Sequence, residues 1–327
     1  MKVMQAMRYG GPEVLEAGEA PMPQPGEYDL LVEVKACGLN PVDTKIRRGY
    51  IAPDRPCPLV LGFDVSGVVA GFGSSVDGFK VGDEVYASPN LMRPGANAQF
   101  VCVDSRTAVP KPRTLDHVHA AAMPLALLTA WEALYDRCRI RAGQTVLIHA
   151  GGGGVGHLAI QLAKLRGCRV LTTASSVESI ALAERCGADV IINHKSQDVL
   201  ARVKELTHNV GCPVVFDTVG DKVFDLSLQC VALNGQVVTI LGSDSSRVAP
   251  ELFRKNATLH YEFMGVPTIH NVNPEHQGDI LRQAGALVDD GKLKPHVSRV
   301  FKLSELVEAH QAQESGRTVG KMVLTWK

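Results

Sequence analysis

Residues Thr145 to Gly156, TVLIHAGGGGVG, constrain the fold more than any other stretch of this chain. An apolar run from Thr145 to His149 enters a glycine turn, and an amphipathic segment from Gly156 to Arg166 leaves it. That order reads as strand, turn, helix, with glycines spaced G-x-G-x-x-G at Gly151, Gly153 and Gly156. Gly151 allows the tight turn, Gly153 lets a pyrophosphate approach the backbone, and Gly156 lets helix and strand pack closely. The unpaired N–H groups at the helix start and the helix dipole then hold an anion. The expected phosphate cradle is Gly151, Gly153, Gly154, Val155 and Gly156.

Strand and helix alternate beyond this turn. Arg169–Thr173, Val190–Asn193, Val214–Asp217 and Val237–Leu241 read as strands; 178–186, 198–207 and 224–232 read as helices. Repeated βαβ units imply an α/β fold with a doubly wound parallel sheet and right-handed crossovers. The first ~115 residues read differently, as short strands punctuated by glycine and proline turns, which suits a small barrel. A helical pattern takes over from Ala120 to Leu134, with Pro124 as its kink or start. The tail carries helices over 280–290 and 304–314 and a final strand, Lys321–Thr325. We expect a discontinuous first domain, 1–118 with 262–327, around a dinucleotide-binding domain, 119–261, with a cleft between them.

Composition excludes several classes. Lys plus Arg and Asp plus Glu each total 34, so the formal charge is zero and no long-range field draws nucleic acid or an anionic membrane. No apolar run has signal-peptide or membrane-spanning length, so the expectation is a cytoplasmic protein with no membrane partner. The eight cysteines form no C-x-x-C pair and read as dispersed thiols.

The second strand identifies the dinucleotide. An NAD site places Asp or Glu about 20 residues after the turn, on the ribose hydroxyls. Here the strand ends Thr172-Thr173-Ala174-Ser175-Ser176, and the first acid is Glu178. A carboxylate would repel a 2′-phosphate, whereas the Ser175 and Ser176 hydroxyls can bond it. The expected cofactor is NADPH. Both serines also suit the start of the next helix as caps.

Three further segments carry a family resemblance together with the glycine turn: Cys37-Gly38-Leu39-Asn40-Pro41-Val42-Asp43, Leu61-Gly62-Phe63-Asp64-Val65-Ser66-Gly67 and Val81-Gly82-Asp83-Glu84-Val85. Together they resemble the medium-chain dehydrogenase/reductase superfamily from end to end, and within it the zinc-free quinone oxidoreductase (zeta-crystallin-like) and alkenal/enone oxidoreductase branches. The resemblance implies a GroES-like β-barrel catalytic domain beside a Rossmann domain, and pairing as a homodimer or homotetramer. Zinc alcohol dehydrogenases of this superfamily carry Cys where Asn40 stands, His where Phe63 stands and a further ligand near Leu125. Phe and Leu offer no lone pair, and a catalytic zinc needs three protein ligands. No metal is expected.

Without a Lewis acid, reduction of an ordinary ketone lacks its charge stabiliser. Hydride addition to a quinone or to the C=C of an α,β-unsaturated carbonyl is easier, because the charge delocalises. The protein must then donate hydrogen bonds to the developing oxyanion and deliver a proton. By resemblance Lys45 is the first candidate donor, with Asn40 and Tyr50 as further polar groups facing the cleft. The resemblance also implies cofactor contacts from Thr129, His194, Gly242 and Lys321. The remaining histidines show no metal-like pairing and read as structural. The expected function is a zinc-independent, NADPH-dependent reductase of a small quinone, enone or alkenal. The alternatives are a non-catalytic NADPH-binding protein of the zeta-crystallin kind and, disfavoured by Phe63 and Leu125, a zinc alcohol dehydrogenase.

Overall fold

The structure, a computed structural model, describes residues 1–242 and 245–326, without the side chains of 245–247. Two compact units form: Met1–Leu128 with Gly265–Lys327, and Thr129–Met264. The sequence placed the first boundary near 118, where the helical pattern begins. The short helix His117–Ala121 nonetheless packs on the strands Asp29–Leu39 and Val65–Phe72, so it belongs to the first unit. The change of periodicity and the change of domain are separate events here.

The first unit is built on a seven-stranded sheet. Its path runs Val297–Lys302, Lys321–Thr325, Asp29–Leu39, Val65–Phe72, Glu84–Ala87, Val109–Pro110, with Phe100–Asp104 also paired to Asp29–Leu39. A three-stranded sheet joins Leu15–Glu19, Lys2–Ala6 and Leu59–Val60. Leu30, Val32, Phe63, Val65 and Leu324 fill the core of this unit. The tail strand closes the sheet by lying antiparallel to Asp29–Leu39, with Met322 opposite Leu39 and Val323 opposite Gly38.

The head is not purely β. Pro41–Arg47 is a helix, with Pro at its first turn and the Asp43 carboxylate reaching back to the Asn40 N–H at 2.8 Å. Seven residues are too few to register as a helical period among turns, which is why the sequence pattern hides it. The helical stretch read as one element over 120–134 is three: His117–Ala121, Pro124–Trp131 and a π-helical turn, Glu132–Arg137.

The second unit is a six-stranded parallel sheet. Its order is Val190–Asn193, Arg169–Ala174, Thr145–Ile148, Cys212–Asp217, Val231–Thr239, Thr258–Tyr261. The first strand in the chain is central; the next two step away on one side and the last three on the other. This is the doubly wound Rossmann order, and a ligand is expected beyond the carboxyl ends of the strands where the direction reverses. Leu147, Leu171, Val215 and Val237 lie in its core. Among the described residues no helix is long and apolar enough to cross a membrane. All eight cysteines are free thiols.

Candidate active site

The glycine turn lies at that reversal point, between the ends of Thr145–Ile148 and Cys212–Asp217. A Cβ on Gly151 would come within 2.1 Å of Thr172 Oγ1, and one on Gly156 within 2.2 Å of the Ala150 carbonyl oxygen. These two positions are closed to any side chain because strand and helix touch there. Gly153 differs: its Cβ would meet only the Ala150 oxygen, at 3.2 Å, with open space beyond. Ala150 itself takes a left-handed φ of 51°, a conformation costly for a residue with a Cβ. The N–H groups of Gly154, Val155 and Gly156 have no partner among the described residues. A cradle with open space over Gly153 and free donors at a ten-residue helix start fits a pyrophosphate.

The neighbouring groups are sorted by their existing bonds. Ser176 caps the helix Val177–Arg185: its Oγ accepts the Ser179 N–H at 3.1 Å. Ser175 follows the strand Arg169–Ala174 directly and is half-buried, and its hydroxyl has no partner among the described residues. His194 and Gly242 are exposed, and nothing lies within 4 Å of a Cβ built on Gly242. Thr129 is buried in the helix Pro124–Trp131. His149, at the end of the central strand, is 1% exposed; burial pushes its imidazole down to about 4. Its Nε2 has no partner among the described residues.

In the first unit the helix Pro41–Arg47 carries the candidate donor. Lys45 is half-buried, its Nζ has no hydrogen bond or ion pair among the described residues, and burial pushes its ammonium below the usual lysine range. The cost of holding a desolvated charge makes its proton easier to give up. Tyr50, whose N–H donates to the Lys45 carbonyl at 2.9 Å, is 75% exposed.

Asn40 and Lys321 were expected to serve substrate and cofactor, and the structure bonds them to each other. Lys321, only 3% exposed, donates from Nζ to Asn40 Oδ1 and to Asp64 Oδ2, the latter at 2.9 Å. The Asn40 amide donates to the same Asp64 Oδ2 at 2.8 Å, and the Leu125 N–H donates to Asp64 Oδ1 at 2.6 Å. Asp43 receives two N–H groups, from Asn40 and Gly62, each at 2.8 Å. Burial pushes both carboxyls up, Asp43 to about 7; for Asp64 the Lys321 ammonium and the Asn40 amide oppose that rise. Asp43 and Asp64 received no role from sequence. The one signal available was an acid inside the otherwise apolar run LGFDVSGVV, a pattern that demands a buried partner.

A cavity of about 360 Å³ in the second unit lies elsewhere, beside Lys204, Gly211, Val231 and Lys255. It opens where the strands Cys212–Asp217 and Val231–Thr239 begin, the end of the sheet opposite the glycine turn. The Lys255 ammonium donates to the carbonyls of Leu228, Gln229 and Val231 at 2.7–2.9 Å, which occupies its three protons.

This architecture has known counterparts. A family description reading "Alcohol dehydrogenase GroES-like domain" matches residues 26–113, and one reading "Zinc-binding dehydrogenase" matches residues 186–324. The chain is 36% identical over 327 residues to a quinone oxidoreductase of Pseudomonas aeruginosa, covering 99% of each. It is 33% identical over 335 residues to a chloroplastic NADPH-dependent alkenal/one oxidoreductase of Arabidopsis thaliana, covering 99% of this chain and 79% of that one. The solved Escherichia coli quinone oxidoreductase complexed with NADPH matches with a TM-score of 0.90 at 29% identity, over 99% of this chain and 100% of that one. The chain belongs to the medium-chain dehydrogenase/reductase family, in its quinone oxidoreductase branch.

One matching description names zinc, and the residues present do not fit it. By the resemblance, Phe63, 0% exposed, stands where zinc relatives carry a ligand, and Leu125 lies near the place of another. At the third, Asn40, the side-chain oxygen already accepts from an ammonium. Among the described residues no group of three or more His, Cys, Asp or Glu could hold a metal ion.

Proposed function

We propose that this chain is a zinc-independent oxidoreductase that takes NADPH and reduces a small quinone or the C=C of an α,β-unsaturated carbonyl compound. The observation that carries the reading is the glycine turn at the sheet reversal, with three N–H groups awaiting an anion. The names of the relatives agree with it. NADPH, when bound, supplies the hydride. Gly151, Gly153, Gly154, Val155 and Gly156 hold the pyrophosphate, and Ser175 donates to the 2′-phosphate with Ser176 beside it. Thr129, His194 and Gly242 complete the cofactor contacts.

Lys45 holds a proton on an unpaired Nζ that burial makes more acidic. It donates to the substrate oxygen as that oxygen becomes anionic, and then releases the proton. Tyr50, exposed near the same helix, supplies a hydroxyl as a second donor. The substrate class follows from the side chains at the former ligand positions. With Phe63, Leu125 and a lysine-bound Asn40 there, the acceptor must delocalise its own charge, as quinones and enones do and simple ketones do not.

The free thiols fit a reducing compartment, the cytoplasm. The strand Thr258–Tyr261 forms one edge of the second unit's sheet, and its last residue, Tyr261, is 51% exposed, so we propose self-association as a homodimer or homotetramer along that edge.

The test is NADPH oxidation across quinones, short alkenals and cyclic enones, with zinc measured on the same sample and the assay repeated with chelator. Turnover indifferent to chelator is expected, and Lys45→Ala should lower kcat by about tenfold or more with little change in NADPH affinity. Failure to bind either nicotinamide cofactor, or activity that tracks a zinc content, ends the proposal.

A further inference from the structure

We infer that the Lys321 ammonium is a resident cation, built in where zinc relatives carry a metal, and that it positions Lys45 by clamping the start of the Pro41–Arg47 helix. Three observations carry this. The ladder that sets Met322 opposite Leu39 brings Lys321 alongside Asn40, the residue before the helix. Its Nζ then bonds the Asn40 oxygen and the Asp64 carboxylate, while the Asn40 amide bonds that same carboxylate, closing a ring of three side chains. The Leu125 N–H takes the other Asp64 oxygen, so Asp64 gathers the three segments in which zinc relatives keep their ligands: those of Asn40, Phe63 and Leu125.

A cation is what such a convergence requires. A carboxylate that is 0% exposed needs compensating charge, and here a covalently attached ammonium supplies it. A divalent ion would have to displace that ammonium from the carboxylate it neutralises.

The clamp is also mechanical. Asn40 precedes Pro41, and Asp43 in the first turn ties the helix to Gly62 at 2.8 Å and to Asn40 at 2.8 Å. With Lys321 holding Asn40, the helix start is fixed on two sides, and Lys45 lies in the next turn. Lys321 is therefore a positioning residue. Its ammonium is buried among oxygens of its own unit, whereas the sequence resemblance gave it to the cofactor, and the two roles predict different outcomes.

The test uses the full chain as wild type, Lys321→Met and Asn40→Ala, the last of which keeps the Lys321–Asp64 pair and so leaves no uncompensated buried charge. Amide hydrogen exchange should rise about tenfold or more over 41–47 in both variants, with peptides from 129–264 unchanged. NADPH Kd should stay within about threefold, while kcat with an enone falls about tenfold at little-changed enone KM. The activity arm rests on the proposed reaction and the exchange arm does not. A wild-type chain that turns over neither enone nor quinone therefore ends that proposal and leaves this one to the exchange result. Unchanged exchange over 41–47 overturns the inference, even where only Asn40→Ala folds. So does a weakened NADPH Kd with kcat intact, the signature of a cofactor contact. One equivalent of zinc retained by the wild type after dialysis overturns it as well.

Discussion

Gly156 begins its helix against the backbone of Ala150, so closely that a Cβ on Gly156 would lie 2.2 Å from the Ala150 carbonyl oxygen and 2.9 Å from its carbon. Backbone atoms cannot swing aside as the end of a side chain can. Gly156→Ala must therefore push helix and turn apart, shifting the free N–H groups of Gly154 and Val155 with them. We expect NADPH affinity to fall about tenfold or more and stability to drop by about 1–3 kcal/mol, the range for overpacking. Gly153→Ala, with a single contact at 3.2 Å, should leave stability nearly unchanged while still obstructing the phosphate. Fluorescence titration with NADPH beside urea melts separates the two effects. Equal loss of stability in both variants would contradict the assignment.

Ser175 and Ser176 differ in availability, and that difference is testable. The Ser176 Oγ is engaged with Ser179 as the helix cap, whereas the Ser175 hydroxyl is open. Ser175→Asp places a carboxylate where a 2′-phosphate would be bonded, so preference should move from NADPH toward NADH by about tenfold or more. Ser176→Ala should cost about 1 kcal/mol of stability through the lost cap. Ratios of kcat/KM for the two cofactors decide it, and an unmoved ratio for Ser175→Asp would place the 2′-phosphate elsewhere.

Arg47 is fully buried, and each arm of its guanidinium has a different acceptor. Nε donates to the Gly10 carbonyl at 3.1 Å, one terminal nitrogen to His310 Nδ1 at 2.8 Å, and the other to Glu314. Because arginine stays protonated, His310 must accept at Nδ1, and burial with Arg47 beside it pushes that imidazole down to about 3. Arg47 thus ties the tail helix Leu306–Glu314 to Pro41–Arg47 by two of its three bonds. Arg47→Met should destabilise the chain by about 3 kcal/mol or more, since it strands buried partners. Arg48→Met, which removes a 2.7 Å bond from an exposed arginine to Glu314, should cost far less than Arg47→Met. Urea midpoints for the two variants should differ accordingly; similar losses would refute the account.

The second unit was largely legible from sequence because its signals are local. The strand Val190–Asn193 and the tail strand Lys321–Thr325 have the bounds expected of them, and the glycine turn joins strand to helix as its spacing requires. Where local signals conflict, the reading slipped. The strand expected over 237–241 runs Val231–Thr239, with Asn234 in a left-handed φ of 56° where its register on Cys212–Asp217 shifts between Val231 and Gln236. The helix Ser245–Lys255 contains Pro250, which reads as a breaker, and Thr258–Tyr261 is a four-residue edge strand, too short to show a clear period. The site in the first unit was least legible. Lys321 and Asp64 are 257 residues apart, and only the register of the tail strand on Asp29–Leu39 brings them together.

Asp43 makes stability depend on pH in a direction opposite to the usual carboxylate. Burial holds its pKa at about 7 in the folded chain, above the ordinary carboxylate value of 3.8, despite two N–H donors. The folded state therefore binds the proton more tightly than the unfolded one. The resulting stabilisation is full below the unfolded value and is lost as pH rises through 7. His149 has the reverse sign: its pKa near 4 gives stability that is complete above about 6.5 and lost as pH falls. Between pH 6.5 and 8 the Asp43 effect stands apart from that of His149. From pH 6 to 8 the Asp43 proton contributes a loss of about 1.4 kcal/mol, one pKa unit's worth. Asn in place of Asp43 does not titrate, but it leaves one of the two N–H donors facing an amide nitrogen, so Asp43→Asn should be the less stable protein at both pH values, with the gap about 1.4 kcal/mol smaller at pH 8 than at pH 6. Urea melts of both proteins at the two pH values give the comparison, in which other histidines cancel. Parallel pH dependences would mean that Asp43 is ionised throughout, held so by its two backbone donors and Lys321.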